Sequence, residues 1–217
     1  MPSEAELDGL DAFDLMDAES ARIDAFFASA RPDELARPSR CEGWSAGDVL
    51  NHLLHVEGYT KAGLDDALGG GFDFEAKVEA APGDLDEWRA ANAENRRRLR
   101  ERGDDGTLTT SIGPYPVRLQ AFHLAQELAT HADDAWVPVT DEERDARTGW
   151  RARFARFNVA EYERPVEVVA EGGTNRVTTE GVTGELSDAD FVEAVMGRLP
   201  DDHPLPGELK AALNCTP

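Results

Sequence analysis

Glu127 and His131 stand four residues apart in HLAQELATHADD, residues 123 to 134, between His123 and Asp134. On a helix advancing about 100° per residue, four residues make one turn, so the carboxylate and the imidazole stack along the axis. Val117, Ala121, Leu124, Leu128 and Ala135 share one arc of that helix. His131 falls about 20° from Leu124 at the border of the arc, Glu127 about 40° further outward and His123 about 40° beyond that. A carboxylate beside a covered face needs compensation, because an unpaired buried charge is costly. Three arrangements supply it: an ion pair between Glu127 and His131, an Arg from a neighbouring helix, or a bound metal ion. An earlier helix adds further donors. With Val49, Leu50, Leu53 and Leu54 facing inward, His52 lies at one edge of its buried face beside Val56 and Tyr59, and His55 points further out. His, Glu, His is a set that catalytic metal sites use with one position left open. Spacing alone leaves the metal site and a satisfied histidine at a core edge both standing.

The elements that must position these residues are mostly helices. Residues 5 to 29 keep apolar positions, Leu15, Ile23, Phe26 and Phe27 among them, at helical spacing. After a loop punctuated by Pro32 and Pro38, Ser45 with Asp48 three residues later forms a near relative of the capping box, and Trp44 sits at the staple position. The second helix is therefore expected from Ser45 to about Leu68, where Gly69-Gly70-Gly71 ends it. A third, about Leu85 to Arg102, carries Arg96-Arg97-Arg98, read as a solvated face. The fourth begins after Gly113-Pro114-Tyr115-Pro116 and reaches about Ala135, and a fifth is plausible from Asp141 to Tyr162. At Pro165 the character changes. β-branched residues on both sides of Gly172-Gly173 signal a hairpin, and Ser187 opens a short helix running through Leu199.

Two segments taken together resemble a known family. RCEGWSAGDVLNHLLHVE (residues 40–57) and AFHLAQELATHADD (residues 121–134) are similar to motifs of the DinB-like superfamily, and most closely to the branch named after mycothiol-dependent maleylpyruvate isomerase. The resemblance covers about residues 10 to 160. It implies a mainly α fold, an up-and-down four-helix bundle over residues 1–163, and the residue pattern after Pro165 adds a small C-terminal α/β appendix over 164–217. It also implies a divalent metal, zinc in the isomerases, held by His52 from the first motif and by Glu127 and His131 from the second. Asp134 matches the family's H-x-x-D pattern. It is a candidate to accept a hydrogen bond from a ligand imidazole, a surface carboxylate at the helix end being the alternative. A low-molecular-weight thiol, mycothiol or an analogue, is implied as cosubstrate. The expected chemistry is attack of the activated thiol on a small-molecule electrophile, ending in cis-trans isomerisation or in S-transfer. The competing class is a non-catalytic DinB-like protein whose metal site is structural. Members of the superfamily are often dimers, so a homodimer is admitted, although no heptad or exposed apolar stripe demands one.

Composition narrows the surroundings. The 217 residues carry 44 Asp plus Glu against 22 Lys plus Arg, a formal charge of −22 that disfavours nucleic acid and anionic membrane surfaces as partners. No apolar run approaches the roughly 20 residues a bilayer span needs, and the acidic N-terminus lacks a signal-peptide core, so a cytoplasmic location is expected. Two cysteines, Cys41 and Cys215, make no disulfide framework and are read as ordinary small side chains.

Overall fold

The computed structural model describes residues 3–68 and 84–216. Its contacts divide the chain into two compact units, Asp11–Pro138 in one and Met1–Leu10 with Val139–Pro217 in the other.

The Asp11–Pro138 unit holds α1 (Ala12–Ser29), a single turn α2 (Pro32–Leu35), α3 (Ala46–Leu64), α4 (Leu85–Arg102), a hairpin of β1 (Thr107–Thr110) and β2 (Gly113–Pro116), and α5 (Val117–Asp134). The stretch expected as one helix from residue 5 is broken at Gly9, whose φ of 74° a helix does not accommodate, and Asp11 caps α1 by accepting from Phe13 N and Asp14 N. Ser45 starts α3 as anticipated: its hydroxyl accepts from Asp48 N and the Asp48 carboxylate accepts from Ser45 N at 2.7 Å. The helix stops at Leu64 rather than Leu68; Gly69 to Gly71, expected to end it, lie outside the described residues. The arginine run is not one solvated face. Arg97 is exposed and pairs with Glu94 and Glu101 on its own helix, whereas Arg96 reaches Asp17 on α1 and Arg98 reaches Asp65 beyond α3.

Four long helices thus form the expected bundle, but their directions do not simply alternate. Glu57 meets Asn92 and Asn95, Asp65 meets Arg98, and Leu64 O accepts from Arg102, so position advances together along α3 and α4 and the two run parallel. Asp24 meets Arg89 while Asp17 meets Arg100, so α1 opposes α4. Arg40 N, just before α3, donates to Asp134 O at the end of α5, and Tyr59 late in α3 accepts from Ser111 N in the hairpin that leads into α5. Therefore α3 and α5 are antiparallel. The order is up, down, down, up, which requires the long connection between α3 and α4 to return the chain to its starting end. The hairpin lies close on α3: a Cβ added at Gly63 would stand 2.5 Å from Thr109 O. The arc read on the α5 wheel is inward, with Val117, Ala121, Leu124, Leu128 and Ala135 all buried.

The second unit contains a 3-10 turn (Glu4–Leu7), α6 (Asp141–Glu161), β3 (Glu167–Glu171), β4 (Thr174–Thr179), β5 (Val182–Ser187), α7 (Asp188–Val195) and α8 (Gly207–Leu213). The sheet is an antiparallel meander in order β3-β4-β5. Gly172 and Gly173, at φ of 59° and 81°, make the anticipated turn; a second turn at Glu180-Gly181 adds a strand the sequence reading did not separate. Ser187 caps α7 by accepting from Asp190 N. The boundary expected at 163/164 falls after α6, whereas the compact units divide before it. The physical reason lies in the α6 contacts: Ala152, Ala155 and Val159 join Val177, Leu186, Phe191 and Leu209 in one core, and Arg153 and Arg156 bind Glu6.

Candidate metal centre

The antiparallel pairing of α3 and α5 brings His52 opposite the Glu127–His131 turn. His52 Nε2 lies 3.0 Å and His131 Nε2 3.1 Å from the same oxygen, Glu127 Oε1. The two imidazole rings are 4.5 Å apart at 62°. One ligand atom from each of the three residues lies within 4.8 Å of the others. His131 is buried, and the side chains of His52 and Glu127 are 22% and 36% exposed, so the carboxylate forms the open rim of the cluster.

Burial alone would raise the Glu127 pKa, but the neighbouring imidazoles, His131 foremost, hold its carboxyl well below the usual carboxylate range. Burial disfavours a charged His131 too. The attraction of Glu127 outweighs this, with the nearby Asp134 and Cys41 side chains assisting, and holds the imidazole well above its ordinary value. The cluster is therefore a place where one positive charge is wanted beside Glu127.

The other ring nitrogen of His131 faces a second layer. Asp134 Oδ2 lies 3.2 Å from His131 Nδ1, with the Asp134 side chain fully buried. Cys41 Sγ lies 3.2 Å from the same Asp134 oxygen. Residues 37 to 44 are docked on the end of α5: Arg37 stacks over Trp136, Pro38 O accepts from Trp136 Nε1 at 2.9 Å and Arg40 N donates to Asp134 O at 3.0 Å. The Trp44 ring then packs 5.3 Å from that of His52.

All four residues named from sequence are thus brought together: His52, Glu127 and His131 around one oxygen, and Asp134 behind His131. His123 is elsewhere, with its Nε2 3.1 Å from the Tyr115 hydroxyl, and His55 is half-buried on α3 outside the three-residue cluster. Two residues escaped the sequence reading. Cys41 carries no spacing signal of its own, although it stands in the motif segment that supplies His52. Glu57 is buried, with Asn92 and Asn95 donating to its two oxygens at 2.7 and 2.8 Å, and burial raises its pKa. Its signal was a charge at the spacing of Leu50 and Leu53, within the apolar stripe of α3.

Residues 16–136, more than half of the chain, match the family described as Mycothiol maleylpyruvate isomerase N-terminal domain. The chain belongs to this family, and the match contains every residue of the centre. No curated protein and no solved structure gives a match. Among the described residues no helix is long and apolar enough to cross a membrane.

Proposed function

We propose that this protein is a divalent-metal-dependent enzyme that uses a low-molecular-weight thiol, mycothiol or an analogue, against a small-molecule electrophile in the cytoplasm. The observation that carries the reading is the convergence of two imidazole Nε2 atoms on Glu127 Oε1 at 3.0 and 3.1 Å inside the family match. Two neutral nitrogens and one carboxylate oxygen suit zinc, and the cluster already favours a positive charge at that point. His52, Glu127 and His131 would hold the ion. Bound there, a divalent ion supplies the charge that lowers a thiol's pKa, so that thiolate is present at neutral pH. Asp134 Oδ2, 3.2 Å from His131 Nδ1, would steady that ring electrostatically with Nε2 toward the centre. Thiolate then attacks an electrophilic carbon: at a cis alkene the C–S bond forms as the π bond breaks, rotation follows and elimination returns the trans isomer with the thiolate regenerated, whereas in S-transfer the C–S bond forms as a leaving group departs with the bonding pair.

A closed structural site needs a fourth protein donor. Among the described residues the cluster at Glu127 Oε1 has three, with the carboxylate partly open to solvent, which favours the catalytic reading. The test is metal content by mass spectrometry of protein purified without a polyhistidine tag, beside His52→Ala and Glu127→Ala. About one equivalent, lost in both variants, is expected, followed by thiol-dependent turnover of maleylpyruvate or another electrophile. A wild-type protein that neither carries nor takes up zinc refutes the proposal.

A further inference from the structure

We infer that Cys41 is a positioning residue for this centre: its thiol fixes the Asp134 carboxylate, and that carboxylate holds the His131 ring with Nε2 toward Glu127. The inference rests on the proposal that His131 is a metal ligand.

Three observations carry it. Asp134 is wholly buried and a single oxygen, Oδ2, stands 3.2 Å from both Cys41 Sγ and His131 Nδ1, so any rotation of the carboxylate is felt by the imidazole. A carboxylate has two side-chain torsions to settle, and two contacts to one oxygen restrict both. Cys41 is itself held from several directions. Its N–H donates to Ser39 Oγ at 3.1 Å, and its carbonyl accepts from Trp44 N at 3.1 Å and from the Ser39 hydroxyl at 3.3 Å. The preceding amide, Arg40 N, bonds the backbone of Asp134, so the loop grips by its main chain the residue whose side chain Cys41 touches. Cys215 offers the contrast: it is buried in the other unit, and its thiol donates to Leu213 O.

A thiol is a weak donor, so its loss should loosen the centre without abolishing it. Removing a direct partner of a metal-bound histidine costs about 10- to 100-fold in affinity, and a group one bond further out should cost roughly 3- to 10-fold. The experiment is zinc affinity by competition with a chromophoric chelator for wild type, Cys41→Ala, Cys41→Ser, Asp134→Asn and the Cys41→Ala/Asp134→Asn pair. Cys41→Ala should weaken binding by that factor and Cys41→Ser, which keeps a donor, should restore most of it. In the Asp134→Asn background, Cys41→Ala should have no further effect, because the group it acts through has changed.

Full affinity in Cys41→Ala, or additive losses in the double variant, overturns the inference. So does a sulfur-to-cadmium charge-transfer band that appears with cadmium-loaded wild type and vanishes in Cys41→Ser, since Cys41 would then be a ligand. The imidazole nitrogen shifts of His131, measured without metal, supply the readout that separates the two readings. Cys41→Ala should move them and Cys41→Ser should move them little. A protein that shows this pattern but binds no zinc refutes the metal reading and leaves the Cys41–Asp134–His131 chain of contacts in place. One that binds zinc with His131 shifts indifferent to Cys41→Ala refutes the chain alone.

Discussion

Glu127→Gln isolates the charge at the centre, because the amide keeps the side chain's length and one carbonyl oxygen for the two imidazoles. The carboxylate is the one anion in the three-residue cluster. Two unit charges about 4 Å apart interact by roughly 4 kcal/mol at the effective dielectric that suits protein sites. The Glu127 side chain is 36% exposed, and solvent screening removes about half of that value, leaving about 2–3 kcal/mol. At about 1.36 kcal/mol per decade, zinc should bind roughly 30- to 150-fold more weakly in Glu127→Gln, as read by chelator competition. A divalent ion makes this a lower bound. The metal-free variant supplies a second readout. Without the carboxylate, the main attraction that raises the His131 pKa is gone, so the proton resonances of its ring should titrate at lower pH than in wild type. Zinc affinity within threefold of wild type, with His52→Ala strongly impaired, would refute Glu127 as a ligand. An unmoved His131 titration would refute the electrostatic account of the pair.

In chelator, the Glu127–His131 pair should give a melting temperature that falls on both sides of a plateau. The lowered Glu127 value contributes stability above an ordinary carboxyl pKa of about 4.3 and loses it as pH falls through that lowered value; the raised His131 value contributes fully below about 6.5 and loses it as pH rises through the raised value. A melting profile unchanged by Glu127→Gln above neutral pH counts against this. Asn95→Ala should cost about 1.5–3 kcal/mol in urea denaturation, because the buried Glu57 carboxylate loses a donor at 2.8 Å and its main-chain oxygen loses another at 2.9 Å; a neutral result would mean that Glu57 is protonated or solvated. Gly63→Ala should destabilise by about 1–3 kcal/mol despite alanine's better helix propensity, since the new Cβ meets Thr109 O at 2.5 Å, and a stabilised protein would show that the hairpin can withdraw at no cost.

What could be read from the sequence follows from what periodicity records. A hydrophobic stripe says which face of a helix turns inward, so the positions of His52 and His131 at the edges of their stripes put them near covered surface. It says little about a residue further round, which is why Glu127 rested more on the motif than on the wheel. It carries no direction: an α3 parallel to α4 has the same pattern as an antiparallel one, and only the 20 residues between Leu64 and Leu85 allow the chain to cross back. Contacts between distant segments are less legible still. Cys41 and Asp134 are 93 positions apart, and no spacing rule relates them. The capping box was readable because Ser45 and Asp48 act within one turn, yet its consequence for the site was not. By fixing where α3 begins, it fixes the docked loop of residues 37 to 44, which sets Trp44 against His52 and Cys41 against Asp134. A helix start encoded locally thus positions side chains on both sides of the centre, and a shift of one residue at that cap would rotate His52 by about 100°, away from Glu127.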